Sequence, residues 1–194
     1  MRVIAGKFRS RQLKSLKGLA LRPTSDRLRE TLFNVLSPVI EGARFLDLFA
    51  GTGAVGIEAI SRGAAEAVLI ENHAAAAKLI RANLASLEIT GAQVIAADAL
   101  QALEKLSAGP KSPIGVFDIV FLDPPYAATR EYEKVLRFLA SSSLLTLSSI
   151  VVAEHTRKLV LPESIGSLAR HRLLQQGDAA LSFFSKNESG AANS

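Results

Sequence analysis

The sequence predicts an α/β protein built on a doubly wound, mostly parallel sheet of about seven strands. Three observations carry that expectation. Short apolar runs alternate with Ala/Leu-rich segments of helical spacing between residues 43 and 153. A glycine turn, Gly51-Thr52-Gly53-Ala54-Val55-Gly56, follows the first of those runs and opens a helix. Successive runs lead into an acid, Glu71, Asp98 or Asp123, at the carboxyl end, where open α/β sheets bind ligands.

At 194 residues the chain suits one domain with a small appendage, long enough to bury a substantial core. With no Cys there is neither a disulfide framework nor a thiolate metal site, and three scattered His (73, 155 and 171) leave little for an imidazole one. No apolar run reaches the roughly 20 residues of a membrane span, and the first residues hold no apolar signal core. The expected location is therefore cytoplasmic. Charge is unevenly spread. Residues 1–29 hold nine Lys/Arg (2, 7, 9, 11, 14, 17, 22, 27 and 29) against Asp26 alone, while the rest holds 14 basic and 17 acidic residues. The net charge of +5 is thus an N-terminal property, suited to meeting a polyanion through counterion release.

Taken in order, residues 1–22 read as a basic arm or small β-hairpin, with Val3-Ile4, Leu13 and Leu16 set among Arg2, Lys7, Arg9 and Arg11. Thr24, Ser25 or Asp26 can cap the helix that follows. Leu28, Leu32, Val35 and Leu36 share one face of it, leaving Arg27 and Arg29 directed elsewhere and open to phosphate. Ser37-Pro38 ends it. Residues 43–48, 67–71 and 93–97 are core strands, and 73–87 is a helix with His73 at its start. Glu71 can accept both hydroxyls of a ribose or stand as a surface acid. Asp98 can cap the helix opened by Ala99-Leu100. Residues 116–122 form a buried strand, about 130–139 a helix, and 147–153 a strand with Glu154-His155 at its end. The imidazole there has no evident partner and is not expected to be catalytic. Residues 168–174 and 179–184 make a terminal hairpin, and 187–194 form a small polar tail expected to be disordered.

Two stretches point to chemistry. The strand over 116–122 runs into Asp123-Pro124-Pro125-Tyr126. Each proline fixes its own φ and pushes the residue before it out of the α region, so Asp123 and Pro124 sit extended in a stiff turn. That turn offers a carboxylate, a carbonyl outside any helix and an aromatic face, the parts needed to grip an exocyclic amine on a nucleobase. The glycine turn alone is ambiguous. Gly51, Gly53 and Gly56, with Glu71 20 residues past Gly51, satisfy the dinucleotide pattern. Asp47, four residues before Gly51, opposes a pyrophosphate and favours a cationic ligand.

Asp-Pro-Pro-Tyr at 123–126 resembles the catalytic motif of methyltransferases that act on nucleobase amines. Asp-Leu-Phe-Ala-Gly-Thr-Gly at 47–53 resembles their first motif, and the two occur in the order those enzymes use. Arg-Pro-Thr-Ser-Asp-Arg-Leu-Arg-Glu-Thr-Leu-Phe-Asn at 22–34 is similar to the N-terminal signature of the RsmD family, which methylates N2 of one guanine in bacterial 16S rRNA. The resemblance covers residues 1 to about 186. It implies the class I S-adenosylmethionine-dependent methyltransferase (Rossmann-like) fold over residues 23–186, with an antiparallel last strand at 177–184.

The same resemblance assigns roles. Cofactor contacts fall to Asp47, Phe49, Ala50, Gly51, Thr52, Gly53, Glu71, Asn72, Asp98 and Ala99, with S-adenosylhomocysteine as product. Catalysis falls to Asp123, Pro124, Pro125 and Tyr126, and RNA contacts to Arg2, Lys7, Arg9, Arg11, Arg22, Thr24, Arg27 and Arg29. The implied partner is 16S rRNA in a partly assembled small subunit, with neither metal nor membrane. His73 and Gln176 depart from the pattern, which has a charged and an aromatic residue there. Three other readings stand beside this one. A DNA adenine-N6 methyltransferase needs a target-recognition domain for which 194 residues leave no room. An NAD-dependent oxidoreductase gives Asp-Pro-Pro-Tyr no role. A non-catalytic RNA-binding assembly factor has no need of both motifs.

Overall fold

The computed structural model describes residues 1–15, 25–108, 115–125 and 129–187. The chain divides into two compact units, Met1–Ala99 and Leu100–Ser194. Arg22, Thr24 and Tyr126 lie outside the described residues, as do most of the predicted tail and part of the arm.

The first unit contains α1 (Asp26–Leu36), β1 (Arg44–Leu48), α2 (Ala54–Ser61), β2 (Glu66–Ile70), α3 (Ala74–Ser86) and β3 (Ala92–Ile95). The Ser25 hydroxyl caps α1 by accepting from the Leu28 N–H at 3.1 Å. Leu28, Leu32, Phe33 and Leu36 then bury one face, with Phe33 stacked on Phe45 of β1 at 6.1 Å between ring centres. β2 pairs in parallel with both β1 and β3, and Leu48, Ile70 and Ile95 stand side by side at the carboxyl ends. The ladder extends one step into the loops, where Ala50 N–H donates to Ile70 O at 2.8 Å and Glu71 N–H to Ile95 O at 3.1 Å. The glycine turn, Glu71 and Asp98 therefore all leave from one edge of this unit's sheet.

Residues 1–13 fold as a hairpin. Val3 N–H donates to Arg11 O and Leu13 N–H to Met1 O, both at 3.0 Å, and Ser10 N–H to Val3 O at 2.9 Å. Val3 and Leu13 are buried, whereas Lys7, Arg9 and Arg11 are exposed. Arg29 corrects the expectation of a cation open to phosphate. It is wholly buried, and its Nη2 donates to Arg2 O at 2.6 Å and Asp26 Oδ1 at 3.0 Å, with Nε 3.7 Å from Glu58 Oε2. Burial pushes this guanidinium below its ordinary pKa, and Glu58 and Asp26 pull it back.

The second unit follows from α4 (Ala99–Ser107), whose first residue closes the first unit, through β4 (Ile119–Leu122), α5 (Thr129–Ser141) and β5 (Ile150–Thr156). It ends with β6 (Ser164–Ile165), β7 (Leu168–Gln176) and β8 (Ala179–Lys186). Its strand order is β4-β5-β8-β7-β6, parallel for β4 with β5 and antiparallel for the other pairs. The described residues thus hold eight strands where about seven were expected, the two-residue β6 being the unforeseen one. β5 also starts and stops three residues later than the sequence suggested. Residues 146–149 instead form a turn closed by Thr146 N–H to Ser149 Oγ at 2.9 Å, and Ser149 Oγ–H caps Phe117 O at 2.7 Å.

Glu154 and His155 consequently lie inside β5, opposite Leu181 and Ala180 of β8, and not at a strand end. The His155 imidazole has partners after all. Its Nδ1 must donate to the Thr156 carbonyl at 2.9 Å, which leaves Nε2 to accept from Ser182 Oγ–H at 2.9 Å. Burial lowers its pKa and holds this neutral tautomer. Tyr132 packs edge-on against it and donates its hydroxyl to Glu154 O at 2.7 Å. This imidazole is part of a buried polar network.

Candidate functional site

The glycine turn is shaped by two carboxylates. Asp47, buried at the end of β1, accepts the Gly56 N–H on Oδ2 at 2.9 Å. Glu71, just past β2, accepts the Gly51 N–H on Oε2 at 2.8 Å and the His73 N–H on Oε1 at 2.7 Å. Gly53 N–H donates to Ala50 O at 2.7 Å, and Gly53 opens α2 with φ of +78°. Packing accounts for two of the glycines. A Cβ on Gly53 would lie 2.9 Å from Ile80 Cγ2 of α3, and one on Gly56 would lie 2.7 Å from Leu69 Cδ2 of β2. Gly51, at φ of +55°, has nothing closer than 4.0 Å on that side, so there the backbone faces open space.

These contacts test what the turn can hold. The N–H groups of Gly51, Gly53 and Gly56, which in a dinucleotide fold would face phosphates, are spent on Glu71, Ala50 and Asp47. Two acids line the same loop. Such a site repels a pyrophosphate and suits a ligand carrying positive charge and sugar hydroxyls, since each Glu71 oxygen keeps a further lone pair. Phe49 is half-buried with φ of +66°, Ala50 and Thr52 are buried, and Asn72 is exposed beside Glu71. Asp98 is exposed immediately before α4, whose first residue Ala99 is buried. His73 precedes α3 as its N-cap residue, its backbone N–H donating to Glu71 and its carbonyl accepting the Ala77 N–H at 2.9 Å.

In the second unit, Asp123 follows the last residue of β4 and is half-buried, Pro124 is buried and Pro125 exposed. Residues 123–125 lie outside helix and strand, in keeping with two consecutive prolines after a strand end. Among the described residues no group of His, Cys, Asp or Glu is arranged to hold a metal ion. No described helix is long and apolar enough to cross a membrane.

The basic hairpin is fastened to the glycine-turn unit by residues that the sequence reading missed. Glu58, wholly buried on α2, accepts the Ile4 N–H at 2.8 Å and the Ala5 N–H at 3.0 Å, and also binds Arg62 at 2.8 Å. Ser61 accepts the Phe8 N–H on Oγ at 3.0 Å and the Lys7 N–H on its carbonyl at 2.7 Å. Gly6 is the only residue type that fits between them: its φ is +80°, and a Cβ would lie 1.8 Å from Ser61 O. A charged residue inside the otherwise apolar α2 segment AVGIEAIS was the one signal available. Of the predicted RNA contacts, Lys7, Arg9, Arg11 and Arg27 are exposed, and Arg2 is exposed beside Asp26 at 3.7 Å.

Comparison with known proteins agrees along the whole chain. The family whose pattern matches residues 1–185 is described as conserved hypothetical protein 95. A Bacillus subtilis protein provisionally named rRNA methyltransferase YlbH is 38% identical over 96% of this chain and 99% of its own. The Escherichia coli K12 protein named ribosomal RNA small subunit methyltransferase D is 36% identical over 100% of this chain and 93% of its own. The solved structure of Escherichia coli yhhF, provisionally named a methyltransferase, superposes with a TM-score of 0.83 at 34% identity, covering 96% of this chain and 98% of that one.

Proposed function

The chain belongs to the conserved hypothetical protein 95 family, that of the ribosomal RNA small subunit methyltransferase D proteins, and on that premise we propose that it methylates N2 of a guanine in 16S rRNA. Its cofactor is S-adenosylmethionine. The observation that carries the reading is the glycine turn whose three N–H groups are consumed internally beneath two acids. That donor set fits a sulfonium and an amino group and rejects a dinucleotide. Bound there, S-adenosylmethionine supplies a methyl group already activated on sulfur.

The chain's own residues do the rest. Glu71 holds the ribose hydroxyls on lone pairs not used by Gly51 and His73, while Asp47 keeps the start of α2 against β1 through Gly56. Asp123 and the Pro124 carbonyl accept the two amino hydrogens of guanine and turn the nitrogen lone pair out of the ring plane. Fixed orientation of this kind lowers a barrier by several kcal/mol, roughly. Tyr126 stacks on the base, which must be unpaired or flipped to reach it. The amine becomes acidic once methylated, and its proton passes to Asp123 or to water. Lys7, Arg9 and Arg11 hold RNA phosphates on the exposed face of the hairpin. A partly assembled small subunit in the cytoplasm is the substrate this scheme takes.

The test is transfer of tritium from labelled S-adenosylmethionine to small subunits, and to naked 16S rRNA, from cells lacking the protein. The RNA is then digested to nucleosides. Label in N2-methylguanosine is the expected outcome, and subunit against naked RNA fixes the assembly requirement. Label in N6-methyladenosine, or no label with either substrate, overturns the assignment.

A further inference from the structure

The base of the hairpin and the glycine turn meet at one side chain, Asn83 of α3, which the mechanism above does not use. Its carboxamide is wholly buried. Oδ1 accepts the Lys14 N–H at 2.9 Å, and the two Nδ2 hydrogens go to Lys14 O at 3.2 Å and Thr52 O at 3.4 Å. Both donors and an acceptor are therefore engaged, and two of the three bonds grip a single arm residue from both sides. A second strap runs beside it, since the Thr52 hydroxyl donates to Met1 Sδ at 3.3 Å. Met1 and Leu13 are themselves paired across the hairpin at 3.0 Å. The first strand thus ends on Thr52 directly and the return strand reaches it through Asn83, Thr52 being the residue between Gly51 and Gly53.

We propose that Asn83 is a positioning residue that couples RNA on the hairpin to cofactor in the glycine turn, so that each raises the affinity for the other. The inference rests on the methyltransferase reading of the two sites. Phosphates held by the exposed Arg11 and Lys14 fix the return strand where Asn83 bonds it, and a cofactor in the turn fixes Thr52. One buried carboxamide satisfies both partners only when both are in place, and leaving its groups unpaired is costly. Two ligands that favour one arrangement bind cooperatively, and the factor is the same in both directions.

The experiment measures S-adenosylhomocysteine affinity by calorimetry with and without saturating small subunits from cells lacking the protein, for the native chain and for Asn83→Ala. Cofactor-product binding should tighten about 5-fold or more with RNA in the native chain, with RNA tightening by the same factor in return. In Asn83→Ala the ratio should collapse to one. A ratio of one in the native chain, or an undiminished ratio in Asn83→Ala, overturns the coupling while leaving the methyltransferase reading intact. Absence of S-adenosylhomocysteine binding under either condition overturns both. Should Asn83→Ala fail to fold, amide exchange on the native chain decides: S-adenosylhomocysteine should slow exchange at Lys14 about 5-fold or more, and an unchanged rate overturns the coupling.

Discussion

Replacing Gly6 by Ala should unseat the tip of the basic hairpin while the rest of the first unit stays folded. At φ of +80° an alanine costs about 1–2 kcal/mol whatever the available space. Space is also lacking, because the new methyl would stand 1.8 Å from Ser61 O, against a usual carbon–oxygen contact of about 3.3 Å. Ser61 O is backbone at the end of α2 and cannot swing aside, so the hairpin must retreat by roughly 1.5 Å. That retreat breaks the 2.7 Å bond from Lys7 N–H and the 3.0 Å bond from Phe8 N–H, each worth about 1 kcal/mol. The total is about 3–4 kcal/mol, felt locally. Amide exchange reads it directly: the Lys7 and Phe8 N–H groups should exchange at least roughly 100-fold faster, with a smaller change in the β1 and β2 amides. Unchanged protection at those two amides would falsify the packing argument.

Three further expectations follow from the same geometry. Asp123→Ala should cut methyl transfer by about 100-fold or more while S-adenosylhomocysteine affinity stays near native; normal turnover would remove Asp123 from catalysis. Converting Arg9 and Arg11 together to Gln should weaken RNA binding and lower the slope of log affinity against log salt by about 2, and an unaltered slope would mean that neither touches phosphate. Burial holds the His155 pKa below its ordinary value near 6.5, so the unfolded chain binds the proton more readily than the folded one. Stability from this group is complete above about pH 6.5 and is lost as pH falls through that value toward the folded pKa. Urea denaturation across pH 5 to 8 should show that slope in the native chain and a shallower one in His155→Gln, and equal slopes would place the effect elsewhere.

Much of the scaffold was legible because it is written locally. The apolar runs of β1, β2 and β4 mark their own strands, and Ser25, Ser37-Pro38 and Gly177 punctuate the elements beside them. The glycine turn was legible as a turn that opens a helix, though two of its glycines, Gly53 and Gly56, serve packing against Ile80 and Leu69. What stayed hidden depends on partners far along the chain. Arg29 sits on a helix whose apolar stripe is complete without it, and a charge beside such a stripe is normally solvated. Its burial is set by Glu58, 29 positions away and equally invisible to local pattern. β5 was placed three residues early for a related reason, because Glu154 and His155 interrupt the apolar pattern and only their pairing with β8 reveals them as strand.

The clasp on the hairpin also has a temporal side. Its bonds from Ile4, Ala5 and Phe8 join residues 53 or 54 positions apart, and those from Lys14 to Asn83 span 69. Synthesis proceeds from the N-terminus, so the most cationic stretch of the chain emerges long before anything exists to dock it. Closure of such long loops is slow relative to local structure. The nascent protein therefore trails a loose polycation beside the ribosome's own RNA, and the segment becomes a directed binding element only when α2 and then α3 have left the exit tunnel.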